Sequence, residues 1–288
     1  MRLRLFIAGA PKSATTSLKE YLARHEDVLA NEGRELTYFI NDDEYFLGEK
    51  ALWDTYFHGL DLDGKTLIAK NVNVMYSRKA LERLSEHNPD MVLCLVLRNP
   101  VDRAYSAYWY ARRRGWEDLD DFEVASFSDS RRFKGDWILE SGCSYLEYGM
   151  YAKHLKDVYA VFDPSKVKVY FLEDLKQRPQ EVCDELFDAL GLSPVEVEVT
   201  SERFNKAAEI RSKALLRLAE PRSGVVRSLA RRFTSRRFRN AVKRFVAGLN
   251  ERPFVIPRLS DATRLRLSEF YRVPNQDLAA LLGRKVPW

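Results

Sequence analysis

The feature that most constrains this chain is its start: an apolar run from Leu3 to Ala10 passes through Gly9 and Pro11 into TTSLKEYLARH, where Leu18, Tyr21 and Leu22 recur at helical spacing. The order is strand, small-residue loop, helix. The loop, Gly9-Ala10-Pro11-Lys12-Ser13-Ala14-Thr15-Thr16-Ser17, opens the helix with three consecutive hydroxyl side chains. Backbone N–H groups at a helix N-terminus have no intrahelical acceptor and carry the positive end of the dipole, so an anion placed there gains several hydrogen bonds. Ser and Thr are also ordinary helix caps, and the hydroxyls alone do not choose between a cap and an anion site. Lys12 and the strand before it favour the anion.

Further apolar runs stand at Thr66–Ala69, Met91–Leu97 and Val167–Leu172. Helical patterns fall at Ser77–His87, Asp102–Arg114, Tyr145–Phe162 and Ser260–Tyr271. Strands alternating with helices predict an α/β fold: a P-loop-like, three-layer arrangement with a central parallel sheet flanked by helices and a helical C-terminal part. With 288 residues, 45% of them hydrophobic, a single domain over 1–288 is expected. The three cysteines, Cys94, Cys143 and Cys183, lack CxxC spacing, which supports neither a disulfide framework nor a zinc site. No apolar run reaches about 18 residues, and the N-terminal stretch is interrupted by Arg4, so a cytoplasmic location is expected.

Against the nucleotide-kinase pattern GxxxxGK[ST], aligning Gly9 puts Ala14 at the second glycine and Thr15 at the lysine. The cation has moved forward to Lys12. A kinase also needs an acid near the end of a second core strand to help hold magnesium, whereas MVLCLVL ends in Arg98. A guanidinium there, with Ser106 a turn or two into the following helix, suits a second phosphate, because open α/β sheets bind ligands beyond the carboxyl ends of their strands. The ordinary alternatives are a salt bridge from Arg98 to Asp102 and a buried helix hydroxyl for Ser106.

Together PKSATTSL and LRNPVDRAYSAY resemble the two phosphate-binding signatures of sulfotransferases that use 3'-phosphoadenylyl sulfate (PAPS). The resemblance extends to bacterial carbohydrate and heparan-type members through RELTYF, WDTYF, YLEYGMYAKHLKDVYAVF with VKVYFLEDL, and the closing YRVPNQDLAALLGRKVPW. It implies that Lys12, Ser13, Ala14, Thr15, Thr16 and Ser17 hold the 5'-phosphosulfate and that Arg98 and Ser106 hold the 3'-phosphate. Arg211 and Lys213 would close over that phosphate. PAPS is then the donor and 3',5'-adenosine bisphosphate (PAP) the product, with no metal. Two positions depart from the pattern. Ala14 stands where the family usually has glycine, and is accommodated if it keeps negative φ. AKNVNVMY replaces EKSPxY, retaining Lys70.

The resemblance also implies that Glu35 is the general base that deprotonates the acceptor. Arg34 beside it would hold it ionised, with a surface Arg34–Glu35 bridge the ordinary alternative; Lys70 would orient the acceptor or stabilise transferred charge, or, as a lysine at an interior edge, pair with a nearby acid. The acceptor is expected to be a small molecule, carbohydrate or glycolipid, contacted from loops such as 112–141, where Trp116 and Trp137 could stack on a ring. The net charge of +5 suggests anionic ligands and makes no case for nucleic acid. Residues 211–244 carry twelve Lys or Arg against Glu220 alone, an amphipathic segment that packs on the core or makes peripheral membrane contact. Two rival functions stay open at this level: a magnesium-dependent P-loop kinase of small molecules, and a non-catalytic anion- or membrane-binding module.

Overall fold

Every residue of β1 (Leu5–Gly9) is buried, and its side chains leave alternately to two separate cores, Phe6 and Ala8 to one, Leu5 and Ile7 to the other. A strand buried on both faces belongs in the middle of a parallel sheet, which explains its unbroken apolar reading. In the computed structural model, residues 1–33, 35–128, 137–197, 208–210, 251–253 and 255–288 are described. After β1 come α1 (Thr15–Leu22), β2 (Val28–Ala30), α2 (Asp42–Tyr45), α3 (Glu49–Tyr56), β3 (Thr66–Lys70), α4 (Arg78–His87), β4 (Val92–Leu97) and α5 (Pro100–Arg113). They are followed by α6 (Phe122–Phe127), α7 (Trp137–Gly142), α8 (Tyr151–Tyr159), β5 (Val167–Phe171), α9 (Leu172–Gln177), α10 (Pro179–Leu190), β6 (Ala208–Ile210), β7 (Glu251–Pro253), α11 (Asp261–Phe270) and α12 (Arg272–Leu282).

The chain divides into two compact units. The first comprises Met1–Ala104, Leu146–Phe204 and Arg264–Trp288. Its parallel sheet has the order β2-β3-β1-β4-β5, with Ile7 opposite both Lys70 and Cys94. Leu18, Tyr21 and Leu22 of α1 cover one face together with Val182, Leu186 and Phe187 of α10. Leu81 and Leu84 of α4 and Leu155 and Val158 of α8 cover the other, which completes three layers. The expected fold class is the one observed.

The sequence reading did not assign α2, α3, α6, α10, β6 or β7, and it differs from the structure at two further places. The expected helix over Tyr145–Phe162 is a short 3-10 turn at Glu147–Gly149 followed by α8. The break has a tertiary cause: the Tyr271 ring lies against Gly149, where a Cβ would meet its hydroxyl at 2.5 Å, and that hydroxyl donates to the Leu146 carbonyl at 2.8 Å. The strand β2 was not read at all, since three residues present too little pattern.

The second unit comprises Tyr105–Tyr145 and Asn205–Thr263. Tyr108 packs on Phe122 and Tyr145, and the Tyr145 hydroxyl donates to the buried Glu117 carboxylate at 3.0 Å. β6 and β7 pair antiparallel. Trp116, considered above as a stacking surface, packs locally: its ring lies against Gly142 and edge-on to Tyr110. Among the described residues no helix is long and apolar enough to cross a membrane.

Candidate active site

The first loop leaves the carboxyl end of β1, anchored by Ala10 N–H donating to the Val96 carbonyl at 2.8 Å and Asn71 N–H donating to the Ile7 carbonyl at 3.1 Å. Gly9 is required by close approach, because a Cβ there would lie 2.1 Å from Met75 Sδ. Lys12 has φ 69° and Ala14 φ 59°, with Ser13 between them outside the positive region. The expectation of negative φ at Ala14 is therefore corrected: it is left-handed, at ψ 19°, and occupies the N-cap of α1. Left-handed residues in a short loop are a feature of the backbone concavities that bind anions.

The capping alternative is not realised, since no side chain caps α1. Ser13 is fully buried and its Oγ has no hydrogen-bond partner among the described residues. Buried hydroxyls are normally satisfied, so an orphan beside an uncapped helix start fits a loop shaped for an anion. Thr15 is buried, and Lys12, Thr16 and Ser17 are half-buried.

Arg98, immediately after β4, donates from Nη1 to the Lys12 carbonyl at 3.0 Å. Its own carbonyl accepts from the Tyr151 hydroxyl at 2.9 Å. Burial lowers the guanidinium's pKa and Asp102 pushes it back up, yet an arginine stays charged throughout the working range. The alternative of a bridge from Arg98 to Asp102 is not realised; Asp102 pairs with Arg264 at 2.9 Å. Ser106 is the seventh residue of α5, on the part of that helix that belongs to the second unit. Arg211, Lys213, the basic segment 211–244 and Arg34 lie outside the described residues.

Glu35 follows β2 and is drawn onto the end of β3. Leu36 N–H donates to the Lys70 carbonyl at 2.7 Å, and Asn71 Nδ2 donates to the Leu36 carbonyl at 3.0 Å. Lys70 Nζ pairs with Glu35 Oε1, and Val72 N–H donates to Oε2 at 3.0 Å. Within the pair the lysine side chain is 1% exposed and the carboxylate 33%, so one member is sealed and the other open to an incoming group.

Sequence reasoning passed over Lys19. It is buried on α1 and donates to the carbonyls of Asn31 at 3.1 Å and Gly33 at 2.8 Å. Its pKa is lowered, first by burial, then in a balance where Glu20 and Glu35 raise it and Lys70 lowers it. The signal was available: Thr15, Leu18, Lys19 and Leu22 fall at i, i+3, i+4 and i+7, the buried stripe of a helix.

Residues 3–215 match the sulfotransferase domain family. Human heparan sulfate glucosamine 3-O-sulfotransferase 6 is 28% identical over 282 residues, spanning 98% of this chain and 72% of that protein. Mouse bifunctional heparan sulfate N-deacetylase/N-sulfotransferase 4 is 27% identical over 206 residues. That alignment takes in 66% of this chain but only 22% of the mouse protein, so the chain spans about a fifth of its length. A crystallised sulfotransferase from Alicyclobacillus acidocaldarius shares the fold at a TM-score of 0.68 and 21% identity, covering 99% of this chain and 98% of that one. With well over half of its length matched, and with the first loop and Arg98 joined at the ends of adjacent parallel strands, the chain belongs to the sulfotransferase domain family.

Proposed function

We propose that this chain transfers a sulfuryl group from PAPS to a hydroxyl or amine of an acceptor, by in-line displacement without a metal ion. The observation that carries the reading is the Arg98–Lys12 contact, which sets the cation after β4 against the uncapped loop after β1. In this reading the loop 12–17 and the start of α1 hold the 5'-phosphosulfate, and Arg98 and Ser106 hold the 3'-phosphate, joined by Arg211 and Lys213. Lys12 and the α1 N–H groups take up the charge that develops on the phosphate oxygen as its bond to sulfur breaks. Glu35 takes the acceptor's proton as the new bond to sulfur forms, its open carboxylate aimed by Lys70 and Val72 N–H. PAP is the product released. The heparan sulfate N- and 3-O-sulfotransferase names of the relatives support a carbohydrate acceptor over the glycolipid and other small-molecule classes.

Calorimetry with PAP in excess EDTA tests this, comparing wild type, Arg98→Ala, and ATP with Mg²⁺. Metal-free PAP binding that Arg98→Ala abolishes is the expected result. Absence of PAP binding, with ATP bound only when Mg²⁺ is present, would replace this reading with the kinase.

A further inference from the structure

We propose that Lys19 is a positioning residue for Glu35, tying the turn that carries the base to the helix whose N-terminus receives the donor. The inference rests on the reading of Glu35 as general base. The Lys19 side chain, 6% exposed on the core stripe of α1 with the half-exposed Glu20 carboxylate 3.7 Å from its ammonium, is an expensive choice, because burying a charge is costly unless hydrogen bonds compensate it. A leucine or methionine would pack there without that cost, so packing alone does not account for a lysine.

What the ammonium does is specific. Its two carbonyl acceptors, Asn31 and Gly33, flank the bend that delivers the chain to Glu35. Gly33 takes φ 77°, the left-handed conformation that the bend needs. Asn31 is itself buried and bonded into the same knot: its Oδ1 accepts from Lys70 N–H at 3.2 Å, and its own N–H donates to the Ile68 carbonyl at 3.1 Å. Lys19 thus adds a link from α1 to the 31–33 bend, and through Asn31 to the end of β3, beside the pairing of β1 with β3. Lys19 lies four residues after Thr15, about 6 Å along the helix at 1.5 Å per residue, so the link from base to phosphate loop runs through one rigid turn.

The test uses the full chain with Lys19→Met, Lys19→Gln and Glu35→Gln. Hydrogen exchange at Leu36 and Val72, whose N–H groups bond Lys70 and Glu35, is expected to speed up about tenfold in Lys19→Met while β1 amides keep their protection. PAP affinity should stay within about twofold of wild type. The rate of PAP release from saturating PAPS, with water as acceptor, should fall roughly 10- to 100-fold, the loss that misplacing a catalytic group by about 1 Å produces. The Lys19→Met/Glu35→Gln double variant should be no slower than Glu35→Gln alone, because Lys19 acts through Glu35. Lys19→Gln, one atom shorter but still a donor, should recover part of the rate, and it carries the comparison if Lys19→Met does not fold. Unchanged exchange at Leu36 and Val72, or a rate lost only in proportion to PAP affinity, would overturn the inference while Glu35→Gln still proves the base. A fully active Glu35→Gln would overturn the base reading and the inference with it.

Discussion

Arg98 reaches across 86 positions of sequence to donate its Nη1 to the carbonyl of Lys12 at 3.0 Å. The contact uses one N–H of the guanidinium on the loop after β1, and in the proposed reading its remaining donors serve the 3'-phosphate. It also makes the planar fork, and not charge alone, the useful property of this position.

Arg98→Lys keeps the charge and removes the fork. Losing charge-assisted hydrogen bonds of this kind costs about 1.5–3 kcal/mol, so PAP affinity should drop roughly 10- to 100-fold with thermal stability little changed. Titration calorimetry at fixed salt checks it, and wild-type affinity in Arg98→Lys would remove Arg98 from the donor site.

Ala14 is left-handed at an N-cap, a conformation that carries a penalty of roughly 1–2 kcal/mol for an L-residue and one in which alanine is also a poor cap. Ala14→Gly should raise stability by about 0.5–1 kcal/mol after the entropy of the unfolded chain is counted, seen as a melting-temperature rise of about 1–3 °C with PAP binding retained. A lower melting temperature would mean that the loop does not hold this backbone.

Gly9→Ala drives a methyl into Met75, which is 1% exposed in the core and has little room to withdraw. The expected loss is about 1–3 kcal/mol by denaturant unfolding. Combining it with Met75→Ala should give less than the sum of the two single losses, since the second change vacates the space the first needs.

His87 accepts a hydrogen bond from Leu3 N–H at Nε2, 3.0 Å away, and its side chain is 7% exposed. Burial pulls its pKa below the ordinary value, with Glu49 opposing and Arg2 and the N-terminal amine reinforcing. The folded state therefore binds fewer protons than the unfolded state once pH drops below about 6.5, so stability is full above that value and declines as pH falls toward the folded pKa. His154 is buried and shifted the same way. The melting temperature should drop between pH 7 and 5.5, and His87→Gln, which keeps an acceptor for Leu3, should flatten part of that slope.

Four of the five sheet strands were legible as largely apolar runs, three of them, β1, β3 and β4, buried throughout; β2 was not, because Val28–Ala30 is only three residues long. The loop after β1 and the place of Arg98 at the end of β4 were legible because residue type and position along a strand–loop–helix unit are local properties. Glu35 and Lys70 were each singled out, and a nearby acid was weighed as the partner of Lys70, but that the acid is Glu35 was not legible, since Arg34 is the neighbour of Glu35 in sequence and Lys70 its neighbour in space. Lys19 escaped because a lysine inside a helical pattern ordinarily faces water.

The sequence by itself determined the alternation of strands and helices, the small-residue loop with its hydroxyls and Lys12, and an arginine where a kinase would carry an acid. These depend on periodicity and on neighbours within a turn or two, which short stretches of chain encode directly. It took the packed fold to show that Ala14 is left-handed, that Lys70 pairs with Glu35, and that Lys19 is buried and bonded to the bend at 31–33. Each of those depends on the register of β3 against β1 and on how closely α1 approaches the sheet, which are set by packing between segments tens of residues apart.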